Sequence, residues 1–297
     1  SLERMKKIRD DTLSRMETDI LALASEQGII NELPPISIGS NPEQIKDRVL
    51  QYRAAQNHYG TTGGSPLTQF ETDELVKTLL TTEVSAEQKM IILENLVEGF
   101  GDASSDLFED LFKKSSPQYI MVGELLNQSS EPGGSGNALI GSHILLGMEY
   151  IEKGLVEIDP AINADIKQAF GMAAQANPDY NQMVIKSAYS LFAYRNRGVN
   201  EDTVDIAKEI KKALDDVTGG VLNINGVKTI APKRGINEDM FEKRLETLRP
   251  NDINAMGGIH QMYDSDGGME WALKEIENAE FISVGQGKYT VLIGDGE

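Results

Sequence analysis

Apolar residues recur at steps of three and four over the first 217 residues, a spacing typical of amphipathic α-helices packed on one side. The first such segment predicts one helix over residues 3–25. Its predicted buried stripe comprises Met5, Ile8, Thr12, Met16, Ile20 and Leu23. The same spacing predicts further helices over residues 42–58, 85–100, 104–113, 118–127 and 137–154.

Several helix starts are marked by capping residues. Asn41 and Ser85 are each followed three residues later by glutamine, which predicts capping boxes at both positions. Prolines at 160 and 178 suit the first turn of two more helices. Caps followed by acidic residues predict helix starts at Asn200 and Asn237, since acids suit the positive end of a helix.

Two later segments alternate with a period of two and predict β-hairpins. In residues 221–232, Asn225 and Gly226 favour a two-residue type I′ turn. The predicted register pairs Ile224 with Val227 and Leu222 with Thr229 on one face, with Val221, Asn223, Lys228 and Ile230 on the other.

The second hairpin covers residues 281–293 and fits best with a turn at Gln286 and Gly287, although a turn at Gly285 and Gln286 is an alternative that changes the pairing. The first choice places one set of side chains on a single face: Ile282, Val284, Tyr289, Val291 and Ile293. Because an isolated hairpin is marginal in water, we expect both to join one sheet or to pack on helices at 238–248 and 270–278.

The predicted fold class is therefore mainly α. A multi-helix bundle over residues 1–217 precedes a small α+β unit with two β-hairpins over residues 218–297. The chain starts without methionine, and its last residues stop within a strand and turn pattern. We expect a piece of a longer protein whose α+β unit is truncated at its C-terminus.

Charge and composition exclude several classes of protein. The chain of 297 residues has 47 acidic and 28 basic residues, a formal net charge of -19, which opposes unspecific binding to nucleic acid. It has no cysteine, which excludes disulfides and thiolate chemistry. No apolar run approaches the ~20 residues of a membrane span, and this part of the chain has no signal peptide.

Candidate chemistry is sparse. The segment YDSDGGMEW holds Asp264, Asp266 and Glu270 as candidate metal ligands, but it lacks the full ligand spacing of a calcium loop, and a turn followed by a helix is the favoured interpretation. The glycine-rich stretches 60–64 and 133–141 lack the Gly-Lys-Ser/Thr ending of a phosphate loop. We assign no catalytic or cofactor-binding residue and expect no cofactor.

Two segments at the C-terminal end carry a family resemblance. TGGVLNINGVKTIAPKRGINEDMFEKRL (residues 218–245) and AEFISVGQGKYTVLI (residues 279–293) resemble the C-terminal region of very large virion-associated proteins of tailed phages and prophages. The matching positions are Ala231, Pro232, Gly235, Glu238, Asp239, Phe241, Val284, Gly285, Gly287 and Tyr289. Lys233 and Arg234 lengthen the turn relative to that pattern.

The resemblance implies an internal virion or tail protein, of a kind that often carries a lytic transglycosylase domain elsewhere. It implies a non-enzymatic structural segment that acts in particle assembly or cell entry through protein–protein contacts. The implied partners are other virion or tail proteins, or other parts of the same long polypeptide. The implied location is the virion, or the host cytoplasm during assembly. The alternative is a peptidoglycan-degrading enzyme with an unrecognised acidic active site.

Overall fold

The computed structural model describes most of the chain, and every structural statement below refers to these residues. They are 2–31, 34–61, 65–113, 115–129, 134, 136–156, 160–170, 178–198, 205–232, 234–247, 276, 278–285 and 288–292. The chain forms two compact units, one of Ser1–Ser130 with Gly136–Glu152, the other of Glu131–Ser135 with Lys153–Glu297. The predicted boundary between residues 217 and 218 falls inside the second unit and stays a prediction.

The regular secondary structure described in the first unit consists only of helices. Its helices are α1 (Leu2–Thr18), α2 (Ile20–Glu26), α3 (Pro42–Tyr59), α4 (Gln69–Leu80), α5 (Ala86–Phe100), a short 3₁₀ helix (Gly101–Ala103), α6 (Ser104–Phe112), α7 (Gln118–Ser129) and α8 (Asn137–Glu152).

The second unit combines helices with two hairpins. Its elements are α9 (Pro160–Phe170), α10 (Pro178–Arg195), α11 (Ile206–Thr218), β1 (Val221–Ile224), β2 (Val227–Ile230), α12 (Glu238–Glu246), β3 (Glu280–Gly285) and β4 (Lys288–Leu292). The predicted fold class, mainly α with a small α+β unit carrying two hairpins, is confirmed.

The prediction of one helix over residues 3–25 is wrong, because the helix breaks at Asp19. The backbone of Asp19 is not helical (φ -154°, ψ 62°), and its carboxylate caps α2 by accepting a hydrogen bond from the Ala22 amide at 3.2 Å. The predicted buried stripe divides at the same point. Met5 is 70% exposed on α1, whereas Ile20 on α2 is completely buried.

The predicted capping boxes at Asn41 and Ser85 are confirmed at the starts of α3 and α5. A third box, not predicted, opens α4 with Thr68 and Glu71. The start predicted at Asn200 lies outside the described residues; the described helix α11 begins at Ile206 and is capped by Asp205.

The core of the first unit is centred on α7, which is buried almost around its whole circumference from Tyr119 to Leu126. The ring centroid of Phe112 lies 6.2 Å from that of Phe108 and 4.8 Å from that of Tyr119. Helix α7 approaches α6 closely at Gly123. A Cβ atom there would lie 2.2 Å from Cδ2 of Phe108, so only glycine fits this approach as it stands.

The first hairpin has the predicted register, with Ile224 opposite Val227 and Leu222 opposite Thr229 around the Asn225–Gly226 turn. Both turn residues have positive φ, as a type I′ turn requires. Leu222, Ile224 and Thr229 are buried, as is Ile230 on the opposite face.

The register predicted for the second hairpin is wrong beyond its turn. Gly285 pairs with Lys288 as expected, but the ladder shifts between Ser283 and Gly285, and Phe281 lies opposite Val291. One extra residue in a strand reverses the facing of every side chain before it. Phe281 is therefore buried, in place of the predicted Ile282, and the partly buried Val291 and Tyr289 pack against the same core.

In the described part the two hairpins form separate two-stranded sheets, so of the two expected arrangements the packing on the helix predicted at 238–248 is the one observed. They pack with α12 around a common apolar core. This core comprises Leu222, Ile224, Ala231, Phe241, Ile276, Ala279 and Phe281. The Phe241 ring lies 5.3 Å from Phe281 and 5.4 Å from Tyr289, both edge to face.

Candidate functional site

The candidate metal ligands Asp264, Asp266 and Glu270 all lie outside the described residues. Among the residues that the structure describes, no group of three or more His, Asp or Glu side chains is arranged to hold a metal ion. The metal hypothesis therefore stays a prediction. Two other features of the first unit could bind a partner: the exposed face of α1 and a pocket beside α2.

Helix α1 exposes large apolar side chains that its own unit does not cover. Met5, Ile8 and Leu13 are 70%, 58% and 52% exposed. At 100° per residue these three side chains lie within one half of the helix circumference. Between Arg4 and Arg9 the helix is also rich in basic residues. We call the face formed by Met5, Ile8 and Leu13 the α1 surface; the described part of its unit does not cover these apolar side chains.

The second feature is a pocket of about 190 Å³ where α2 meets the starts of α3 and α4. It is lined by Leu21, Ala22, Ser25, Ile30, Asn31, Pro35, Arg48, Thr68, Phe70 and Glu71. Leu21 and Ile30 are buried in its wall, whereas Phe70 is 70% exposed. The apolar lining therefore continues from the interior to the surface.

An ion pair between Arg48 of α3 and Glu71 of α4 forms the polar wall of this pocket. Arg48 Nη2 donates to Glu71 Oε1 at 2.9 Å, and Nη1 donates to Oε2 at 3.3 Å. The two side chains are only 5% and 2% exposed. Such a pair is stable in a low dielectric only when its remaining polar atoms are also hydrogen-bonded.

Glu71 meets that condition completely. Besides the two guanidinium bonds, its carboxylate accepts from the Ile36 amide at 2.6 Å, from the Thr68 amide at 2.8 Å and from the Thr68 hydroxyl at 3.0 Å. The same residue is the third position of the capping box that opens α4. Both oxygens are therefore occupied, and neither is available to a substrate.

Arg48 meets the condition only in part. Its Nη2 also donates to the Pro34 carbonyl at 2.7 Å, but Nε is buried without a hydrogen-bond partner among the described residues. Burying an N–H group without an acceptor costs free energy on the order of 1–3 kcal/mol. The ion pair therefore leaves one buried donor, Nε of Arg48, without an acceptor among the described residues.

Sequence reasoning did not find this pocket. The Thr68-to-Glu71 spacing is that of a capping box and could have been read as a helix start. The pairing of Glu71 with Arg48 joins residues that are 23 positions apart and has no local pattern. An arginine on an amphipathic helix is ordinarily exposed, so its burial could not be predicted from its position.

In comparisons with known proteins, no family model, no curated protein and no solved structure matches the chain. In the part of the chain that the structure describes, no helix has both the length and the apolar character needed to cross a bilayer.

Proposed function

We propose that this chain is a non-enzymatic structural segment of a phage or prophage virion-associated protein, acting in particle assembly or cell entry through protein–protein contacts. The observation that carries the contact function is the exposed apolar surface of α1, with Met5 70% and Ile8 58% exposed. Contiguous exposed apolar side chains favour a surface that a partner covers. The virion assignment rests on the resemblance of residues 218–293.

The partners that fit this function are other virion or tail proteins, or other parts of the same long polypeptide. The formal net charge of -19 disfavours nucleic acid as the principal partner. The proposed location is the virion, or the host cytoplasm while particles assemble.

The alternative is a peptidoglycan-degrading enzyme, and Glu71, the carboxyl group of the described pocket, does not fit the general acid that it would need. A general acid of that kind needs a carboxyl group that reaches the substrate. Glu71, which is 2% exposed, instead accepts hydrogen bonds from Arg48, Ile36 and Thr68. Both of its oxygens are engaged in these hydrogen bonds, so Glu71 stabilises the fold and is not placed to donate a proton to a substrate.

Mass spectrometry of purified particles tests the virion assignment. Particles from the source phage or induced prophage are banded twice by density, and tryptic peptides from residues 1–297 are quantified against the major capsid protein. We expect the peptides at a constant ratio in every particle fraction. Their absence from the particles would overturn the assignment, and lysis of peptidoglycan by the purified chain would overturn its non-enzymatic character.

A pair of variants tests the contact function of α1 in the same particles. Met5→Lys with Ile8→Lys replaces exposed apolar groups with charges, and we expect the amount incorporated per particle to fall at least several-fold. Glu3→Lys with Asp10→Lys places lysines on the opposite face and serves as the control. Equal incorporation of both variants would exclude the α1 surface as the contact.

A further inference from the structure

The turn of the first hairpin joins two residue types that can react with each other without an enzyme. Asn225 is the only asparagine in the sequence that is followed by glycine. Because Gly226 has no side chain, its backbone nitrogen is little shielded from the side chain of the residue before it. This nitrogen can attack the carboxamide carbon of Asn225 and close a five-membered succinimide ring, which is the first step of deamidation.

The fold leaves the attacking nitrogen accessible. Asn225 and Gly226 are both exposed, and the strand pairing next to the turn is made by the flanking residues Ile224 and Val227. The N–H of Gly226 has no hydrogen-bond partner among the described residues. An exposed N–H without an acceptor is free to lose its proton to solvent, and that loss makes the nitrogen a nucleophile.

The backbone of the turn is close to the geometry that the attack requires. Asn225 and Gly226 have φ of 54° and 80°, as in a type I′ turn. The type II′ turn, which hairpins also use, keeps the positive φ of the first residue and rotates the peptide plane between the two residues. This rotation brings ψ of Asn225 to about -120°, where the nitrogen of Gly226 eclipses Cβ of Asn225. The hairpin therefore reaches the attack geometry while β1 and β2 stay paired.

The reaction needs water as its only co-reactant. The nitrogen of Gly226 forms a bond to Cγ of Asn225, the Cγ–Nδ2 bond breaks, and Nδ2 leaves as ammonia with the proton that the nitrogen gives up. Water then opens the succinimide at either carbonyl carbon. Opening at Cγ gives aspartate at position 225, and opening at the backbone carbon gives isoaspartate. No atom is oxidised or reduced.

Deamidation would remove a contact between the two hairpin segments. Nδ2 of Asn225 donates a hydrogen bond to the carbonyl of Ala279, directly before β3, at 3.0 Å. Aspartate places a carboxylate oxygen against that carbonyl, so an acceptor faces an acceptor. Isoaspartate also inserts a methylene group into the backbone, which a two-residue turn does not accommodate.

We propose that Asn225 is a site of spontaneous deamidation, and that the modification releases the turn of the first hairpin from Ala279. The site is separate from the α1 surface. The proposal does not rest on the virion assignment, because it concerns a reaction of the purified chain alone.

The test follows the purified full chain by peptide mapping during incubation at mildly alkaline pH. Trypsin releases residues 213–228, a peptide that contains Asn223 as well as Asn225, so fragment ions compare the two asparagines within one molecule. We expect Asn225 to convert at least about tenfold faster than Asn223, because the branched side chain of Ile224 shields the nitrogen that follows Asn223. A synthetic peptide of residues 213–228 gives the rate in the absence of the fold.

Two variants separate the reaction from its structural effect. Asn225→Gly retains a sequence suited to a type I′ turn and has no carboxamide, so position 225 should gain no mass. Asn225→Asp reproduces one product, and the amides of Ile224 and Val227 should exchange hydrogen about two- to tenfold faster than in the unaltered chain, because one hydrogen bond is lost. Should Asn225→Asp fail to fold, the aged chain, separated by anion exchange through its added negative charge, supplies the same comparison.

Three results would overturn the proposal. The first is an unmodified Asn225 in the folded chain after the synthetic peptide has been converted, and the second is equal conversion of Asn223 and Asn225. The third is hydrogen exchange of the hairpin that is the same with asparagine and with aspartate at position 225. None of them affects the particle measurement, and absence of the chain from particles leaves the peptide mapping standing, so the two failures are distinguishable.

Discussion

At the scale of single residues, Glu71 joins two tasks that are usually separate. It completes the capping box of α4 and it neutralises Arg48 in the interior. Because the side chain is 2% exposed, water cannot replace any partner that is removed. Loss of the carboxylate charge would leave the guanidinium buried without its counterion, which is the costly way to break such a pair.

We therefore expect Glu71→Gln to lower the free energy of unfolding by about 3–5 kcal/mol, as measured by equilibrium denaturation in urea. The matched control is Glu43→Gln, which removes a carboxylate from a surface pair with Lys46 at 3.2 Å. Exposed pairs contribute little, so no measurable change is expected there. Equal effects of the two substitutions would refute a structural role for the buried pair.

The role of a residue could be predicted where its partner is close in sequence, and could not where its partner is far away in sequence. The Asn41–Gln44 and Ser85–Gln88 boxes could be read from a spacing of three, and both are present. The burial of Arg48 depends instead on its pairing with Glu71 of α4, a residue 23 positions away. No short-range pattern specifies that geometry, so the pocket could not be predicted.

At the scale of elements, α12 depends on the residue that caps its start, Asn237. The Asn237 side chain accepts a hydrogen bond from the Met240 amide at 2.9 Å and caps a helix of only nine residues. Its buried anchor is Phe241, at the centre of the core shared with both hairpins. A helix this short has few other hydrogen bonds to hold its start.

Asn237→Ala should reduce the stability of the second unit by about 1 kcal/mol, the usual cost of losing an N-cap. Hydrogen exchange of the α12 amides, Met240 above all, is the measurement, and exchange should quicken there. Asn237→Asp retains an acceptor at the cap and should restore protection. Unchanged exchange in the alanine variant would show that packing alone fixes this helix start.

Element type was easier to predict than element register or length. The Asn225–Gly226 turn fixed the first hairpin because its two residues specify both conformation and pairing. In the second hairpin the alternation of apolar residues predicted Ile282 on the same face as Tyr289 and Val291. Phe281 takes that place and contacts Phe241, and a shift in the strand pairing accommodates it. In this hairpin tertiary packing therefore overrode the local pattern. In the first predicted helix it was a local hydrogen bond, the cap that Asp19 forms on α2, that interrupted a continuous apolar repeat.

At the scale of the whole molecule, each unit buries a tyrosine hydroxyl that donates to a backbone carbonyl. Tyr119 donates to Leu79 in the first unit, and Tyr289 donates to Ile230 at 2.6 Å in the second. Burial raises the pKa of both tyrosines well above the usual value near 10. Both groups stay protonated in the folded chain at pH values where the unfolded chain ionises.

The raised pKa of these two tyrosines makes the folded chain less stable at alkaline pH. Below pH 10 both tyrosines are protonated in the folded and in the unfolded state, so they do not change the free energy of unfolding. Above pH 10 the unfolded state loses protons that the folded state keeps, so the free energy of unfolding falls as pH rises. Absorbance at 295 nm should show these two tyrosines ionising only together with the loss of helical circular dichroism.

Tyr289→Phe is the informative variant for this prediction. It should remove part of the alkaline sensitivity while losing about 0.5–1.5 kcal/mol for the hydrogen bond to Ile230. Ionisation of every tyrosine in one reversible step near pH 10, with the circular dichroism unchanged, would contradict the burial of both hydroxyls.

The close approach of α6 and α7 links two positions of the sequence. A methyl group at position 123 would lie 2.2 Å from the Phe108 ring, so glycine and phenylalanine form a matched pair. In descendants of the same ancestral fold, alanine at 123 is expected only with a smaller side chain at 108. This coupled substitution is a two-position signature by which a remote relative could be recognised after overall identity has been lost.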